Sequence, residues 1–328
     1  MYQKLPLVVA IIFLSSFFTF TSVQTFAEER KNDEENIFDE RMALFQKTES
    51  LTQIPWYYFA AIDNYERNIQ PSTDEPEKVI SIDISDEIWF GSGNKSMGTE
   101  VEIIEMFQGK GKDGNGDNQA NPDDPEDVLY TIGNMILEYG NTVDDIKIGL
   151  WNYYKRDLTV QTIMNTAKVF KTFQEIHLTD REFPVDTDYN YTYKNNWGDR
   201  RGFGGLRVHE GSDIFADYGT PVKSTTYGVV EMMGWNLYGG WRIGIRDIYN
   251  NYHYYAHMSG YEEDVKVGQV VQPGDRLGSV GSTGYGPPGT SGKFPPHLHY
   301  GMYKDNGYNE FSYDPYPYLA KWERMTKE

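Results

Sequence analysis

At 328 residues, with 39% hydrophobic and 15% aromatic side chains, the chain is long enough for two ordinary domains and too apolar for a disordered one. A net charge of −19 excludes a nucleic-acid binder built on basic patches, and excludes simple electrostatic attraction to anionic membranes or wall polymers. The absence of cysteine removes disulfides, thiolate metal sites and cysteine nucleophiles, so stability must come from packed cores or from a metal.

Residues 1–27 read as an export segment. Lys4 gives a minimal positive start, Leu5 to Phe20 is an apolar core, and Thr25-Phe26-Ala27 is a small-residue cleavage site. The competing reading is an uncleaved anchor, because the apolar run approaches spanning length. The acidic sequence that follows (Glu28, Glu29, Asp33) favours cleavage; a monomer that meets the membrane only through this segment is expected. Residues 28–180 are expected to be mainly helical. The stretch Ile54 to Arg67 carries Pro55 near a helix start and apolar residues at helical spacing, and Asp144 to Phe173 reads as two more helices. Between them, Asp113, Asn115 and Asp117 alternate oxygen ligands in a glycine-rich run that continues to Asp124. Its two readings are a flexible acidic loop and a calcium loop, although Asn118 stands where a calcium loop wants glycine and Asp124 where it wants a bidentate glutamate.

Residues 181–196, rich in Thr, Asp, Tyr and Asn, are expected to be a linker into a β-unit spanning 197–328. There, short apolar runs alternate with glycine turns, as in Gly228 to Met233, Arg242 to Ile245, Tyr252 to His257 and Arg276 to Val280. That pattern predicts an antiparallel β-sheet or sandwich, making the whole a multidomain α and β chain.

The chemistry concentrates in four of the six histidines. His297-Leu298-His299 on an extended segment points both rings to one side of a strand. Alone, each histidine is more simply a packed or surface residue. Taken with His209-Glu210-Gly211-Ser212-Asp213 and His257, they form a metal pattern. A hydrolytic zinc wants three nitrogen or oxygen ligands and one open position. His209, Asp213 and His299 could supply these, leaving His257 and His297 for proton handling. The spacing from His209 to Asp213 is not the helical His-Glu-x-x-His protease motif, because Gly211 and the nearby Thr220-Pro221 disfavour a helix. His253, four residues before His257, would share its strand face if that strand were regular.

Trp197-Gly198-Asp199-Arg200, His209 to Ala216, Gly219 to Val222, Tyr255 to Met258, Gly268 to Asp275, Gly281 to Gly284 and His297 to Tyr300 resemble lysostaphin/LytM-type zinc endopeptidases, which cut the peptides of bacterial peptidoglycan. Asp314-Pro315 to Leu319 resembles that family's closing strand. The resemblance implies that His209, Asp213 and His299 bind zinc and that His257 and His297 are catalytic. His297 is expected to accept the water proton, and His257 to hydrogen-bond the oxyanion. More faintly, Pro55 to Ile69 resembles the glutamate-bearing helix of lysozyme-like lytic transglycosylases. Glu66 is followed here by Arg67-Asn68 instead of Ser-Gly, so it is expected to be a relic acid in a glycan-docking unit. The two-part layout resembles sporulation peptidases that cut the L-Ala–D-Glu bond of cortex stem peptides. The leading reading is therefore an exported zinc peptidase of the cell wall or spore cortex. A bifunctional glycan-and-peptide hydrolase and a silent wall-assembly protein are the alternatives.

Overall fold

The computed structural model describes residues 36–71, 78–202 and 206–327, and the expected export segment lies outside them. Among the described residues no helix is long and apolar enough to cross a membrane.

The first half is helical: α1 (36–52), α2 (Trp56–Ile69), α3 (Asp86–Phe90), α4 (Val101–Met106), α5 (Pro125–Leu137), α6 (Val143–Tyr154) and α7 (Asp157–Phe173). Three of these match the periodic stretches read above, with α2 running slightly past Arg67. Helix α6 starts on a capping box between Thr142 and Asp145 and ends at Lys155, whose φ of 52° is left-handed; α7 begins two residues later. Phe59, Ile62, Tyr65, Trp89, Leu129, Ile163 and Phe170 are all but fully buried and centre the helical core.

The expected calcium loop is closed by its own backbone. Asp113 accepts N–H bonds from Gly116 (2.6 Å) and Asn118 (2.8 Å), while Asp124 caps α5 by accepting from Glu126 N (2.8 Å) and also accepts from the Asn115 amide (3.1 Å). Asp117 accepts from Gln119 N (2.8 Å). These oxygens are already used by backbone and amide donors, and among the described residues they form no three-acid group. The calcium expectation is not supported.

The second half is built on strands: β1 (Tyr191–Tyr193), β2 (Arg200–Arg201), β3 (Arg207–Val208), β4 (Ser212–Ala216), β5 (Pro221–Lys223), β6 (Gly228–Asn236), β7 (Gly240–Asp247), β8 (Asn251–Tyr261), β9 (Val270–Val271), β10 (Arg276–Val280), β11 (His297–Asp305) and β12 (Glu310–Tyr313). The main sheet runs β1-β4-β11-β8-β7-β6-β9, with β12 on β11 and β10 joining β8 to β5. Its pairings are antiparallel, as expected. Strand β8 is long enough to pair β11 and β7 along most of its length and β10 at its far end, which rolls the sheet. Phe183 and Val185 are fully buried in the β-core and β1 pairs β4, so the segment expected as a linker is built into the sheet. The closing strand falls earlier than expected, at β12. Residues Tyr316–Lys327 form α8 instead, burying Leu319 and Trp322 one turn apart against the sheet.

The two halves share a core. Val229 and Ile248 of the β-half are buried in the helical cluster. Arg156 at the head of α7 makes a bidentate pair with buried Asp305 at the end of β11, both bonds 2.8 Å.

Candidate active site

Alternation on β11 sorts its side chains. Leu298, Tyr300 and Met302 go into the β-core, so His297 and His299 face outward together. Strand β4 lies alongside with His299 opposite Asp213 and His297 opposite Phe215, which brings the carboxylate and imidazole side by side. His209 comes from the turn just before β4. Gly211 makes that turn possible: a Cβ there would stand 2.6 Å from His299 Cε1 and 2.7 Å from Tyr300 O.

Three atoms converge: His209 Nε2, Asp213 Oδ1 and His299 Nδ1, separated by 3.0, 3.0 and 3.1 Å. His209 Nδ1 is 2.7 Å from the carbonyl of Asn196, which can only accept, and 3.0 Å from Arg201 Nη2, which can only donate; the shorter contact places the proton on Nδ1 and leaves Nε2 bare. Asp213 Oδ2 is held by Arg201 Nη2 at 2.5 Å and the Asn196 amide at 3.2 Å, which leaves Oδ1 for the cluster. Two imidazole nitrogens and a carboxylate oxygen packed this closely repel one another unless a cation or proton lies between them. Their spacing is close to the edge of roughly 3.3 Å of a tetrahedron with 2.0–2.1 Å bonds. Among the described residues this is the group whose ligand atoms could hold a metal. Burial raises the Asp213 carboxyl, but the bonds with His209 and His299 and the charges of the neighbouring rings outweigh it and hold the group well below the usual carboxylate range.

His257 and His297 flank the cluster with ring centroids 4.8 Å apart. His257 Nδ1 donates to Thr283 O (2.7 Å) and His297 Nδ1 to Pro295 O (2.9 Å), so both turn a bare Nε2 toward the cleft. Burial pushes His257 down to about 3, helped by His297 and His299, and burial likewise lowers His297. Both are therefore neutral acceptors near pH 7.

His253 does not share this face. It is buried on the other side of β8, with Nε2 2.9 Å from Asp247 and Nδ1 2.6 Å from the Tyr300 hydroxyl. The strand is irregular here, since His257 has a φ of 64° and the register with β7 shifts nearby. Glu66 also stands apart, on α2. Burial pushes its carboxyl up to about 7, opposed by the Tyr154 hydroxyl that donates to it at 2.7 Å.

Several residues of the site were not singled out by the sequence reading. Asn196 and Arg201 fix Asp213, Thr283 orients His257, and Phe294 packs 4.7 Å from the His257 ring. The cleft encloses about 320 Å³ and carries two further cations, Arg207 and Lys293, beside Tyr285. Three arginines within residues 200–207 are the one local signal that could have pointed to Arg201 and Arg207; no local pattern marks Lys293.

The model of peptidase family M23 matches residues 207–313. The chain is 56% identical over 292 residues to the L-Ala–D-Glu endopeptidase of Bacillus subtilis strain 168, which covers 88% of this chain and 90% of that one. It is 31% identical over 143 residues to the glycyl-glycine endopeptidase ALE-1 of Staphylococcus capitis, covering 41% of this chain and 37% of that one. The solved catalytic domain of lysostaphin from Staphylococcus simulans is 34% identical over 40% of this chain and 93% of its own, with a TM-score of 0.32.

Proposed function

Because this chain belongs to peptidase family M23, we propose that it is an exported, zinc-dependent endopeptidase that hydrolyses the L-Ala–D-Glu bond of peptidoglycan stem peptides, in the wall or the spore cortex. The observation that carries this is the convergence of His209 Nε2, Asp213 Oδ1 and His299 Nδ1 beside two histidines with bare Nε2 atoms. Those three residues would hold zinc. When bound, zinc supplies a Lewis acid that polarises a peptide carbonyl and acidifies a water.

The chain's own residues supply the proton traffic. His297 Nε2 lies 3.7 Å from Asp213 Oδ1, beside the cluster, and is placed to take the proton of an attacking water and return it to the leaving amine. His257 meets a developing oxyanion as a donor only after gaining a proton, since its neutral Nε2 has no hydrogen to give. The Thr283 and Pro295 carbonyls keep both rings in this tautomer. The bond assignment is supported by the similarity to the Bacillus subtilis enzyme and by the charge of the cleft. A D-Glu joined through its amine to L-Ala keeps a free carboxylate whichever carboxyl continues the chain, and Arg207 and Lys293 lie where a carboxylate could be met.

A second reading, glycan cleavage at Glu66, asks for an acid open to a sugar; Glu66 is only 8% exposed and is bonded to Tyr154. The experiment is digestion of purified peptidoglycan followed by mass spectrometry. New D-Glu amino termini are expected, abolished by chelator and restored by zinc. Cleavage that ignores chelator would remove the metal from the mechanism, and a different new terminus would remove the bond. His297→Ala should lower the rate by about 10²–10⁴-fold with zinc still bound; full activity would reassign the proton acceptor.

A further inference from the structure

The sheet has a second concave site that the peptidase chemistry does not use. A hollow of about 610 Å³ lies where the loop after α7, strands β8, β11 and β12, and helix α8 meet. On β11, Lys304 has the parity of Tyr300 and Met302, not that of His297 and His299. The hollow therefore opens on the opposite sheet face from the histidine cleft, roughly 17 Å along the strand from His299. A ligand there is not the scissile peptide.

Three cations from three separate elements line it: Arg181, Lys304 and Lys321. In a chain of net charge −19 this is a local reversal of sign. The acid at its floor, Asp247, is ionised and attracts Arg181 and Lys304, but it offsets only one of the three positive charges. Asp247 already accepts from Tyr249 N and Asn251 N (both 2.8 Å), the Asn251 amide (3.0 Å) and the His253 ring (2.9 Å). Lys304 gives one bond, to Tyr249 O at 2.7 Å, and an ammonium has three hydrogens to give. Burial pushes its half-buried amine down, and the pull of Asp247 and Asp305 only partly opposes this, so a further anion beside it would relieve the remaining cost. At the rim, Phe311 is 47% and Tyr318 44% exposed, large rings left facing water beside the cations. A concave site with apolar walls and a few convergent polar groups is the usual form of a small-ligand site.

We propose that this hollow is a second binding site, for a sugar-sized ligand bearing an oxyanion, with the carboxylate or phosphate held among Arg181, Lys304 and Lys321 and the sugar ring against Phe311 and Tyr318. It would anchor an acidic saccharide on the face opposite the peptidase cleft.

The test is calorimetric titration of the full chain with chitobiose, with chitobiose oxidised to its terminal carboxylate, and with chitobiose 6-phosphate. At least one anionic form should bind at least about tenfold tighter than the neutral sugar, the gain of one charge-assisted contact, and the form that wins identifies the oxyanion. Lys321→Gln, on the exposed side of α8, should weaken that binding by about fivefold or more, and Lys304→Met by at least as much, with peptide cleavage unchanged. Equal binding of all three sugars, no binding of any up to about 10 mM, or undiminished binding by both variants would each overturn the site.

Discussion

Glu66 shows how far burial can displace one carboxyl. Burial raises it most, and Asp83 and Asp63 add to the shift, while the Tyr154 bond works against it; the result is about 7 in place of 4.5. The folded-state value lies above the unfolded one, so the stability tied to this group is complete below pH 4.5 and is lost as pH rises through 7. Glu66→Gln keeps the acceptor for Tyr154 and removes the charge. Its melting temperature should match the parent near pH 4 and exceed it at pH 8, by up to about 3 kcal/mol in stability. Equal melting curves at both pH values would mean that Glu66 ionises freely in the folded chain. The zinc-type triad was legible at this same scale, because His209, Asp213 and His299 are of types rarely grouped by chance. Asn196 and Thr283, which orient the triad and His257, were not: an amide or hydroxyl residue gains its role only from what it is folded against.

At the scale of elements, the sheet decides which residues meet. Strict alternation on β11 divides His297 and His299 from the core, as the sequence pattern predicted. The same alternation would have put His253 beside His257, and there it fails, because the positive φ at His257 turns the end of β8 back toward the cleft. Helix α8 was missed for a related reason. Asp314-Pro315 and the tyrosines after it read as strand ends, whereas the spacing of Leu319 and Trp322 and the Glu323–Lys327 pair, 2.7 Å apart, belong to a helix lying on the sheet. The loop before β11 and strand β3 line the cleft with Lys293 and Arg207. Lys293 donates to Tyr285 O at 2.6 Å, and the Arg207 guanidinium sits 5.5 Å over the Tyr285 ring and bonds its hydroxyl. Peptides containing L-Ala–D-Glu should be cut about 10–100-fold faster in kcat/KM than the same peptides with D-Gln. Arg207→Gln with Lys293→Gln should erase that preference by slowing only the acidic peptide. A parent enzyme indifferent to the amide would show that these cations do not read the carboxylate.

Across the whole molecule, among the described residues, the helical half and the sheet are joined by burial and by a charged clasp. Asp305 is fully buried and faces Arg156 through two 2.8 Å bonds. Removing one partner strands the other charge, so Arg156→Met should cost about 3–5 kcal/mol, read as a lower urea midpoint, and adding Asp305→Leu should recover much of it. Independent, additive effects would mean that the pair does not couple the halves. Asn165 of α7 also donates to Glu231 of β6 at 2.8 Å, and Val229 and Ile248 complete the helical core from the sheet side. The sequence by itself determined the class of chemistry, the antiparallel strands and the principal helices, since ligand types, period and glycine punctuation are local properties of the chain. Tertiary structure alone decided which faces the cleft and the rear hollow occupy, that Phe183, Val185 and strand β1 join the β-core, and that the acidic loop satisfies itself. Those outcomes depend on pairing between residues far apart in sequence, and no local pattern encodes which distant backbone a side chain will meet.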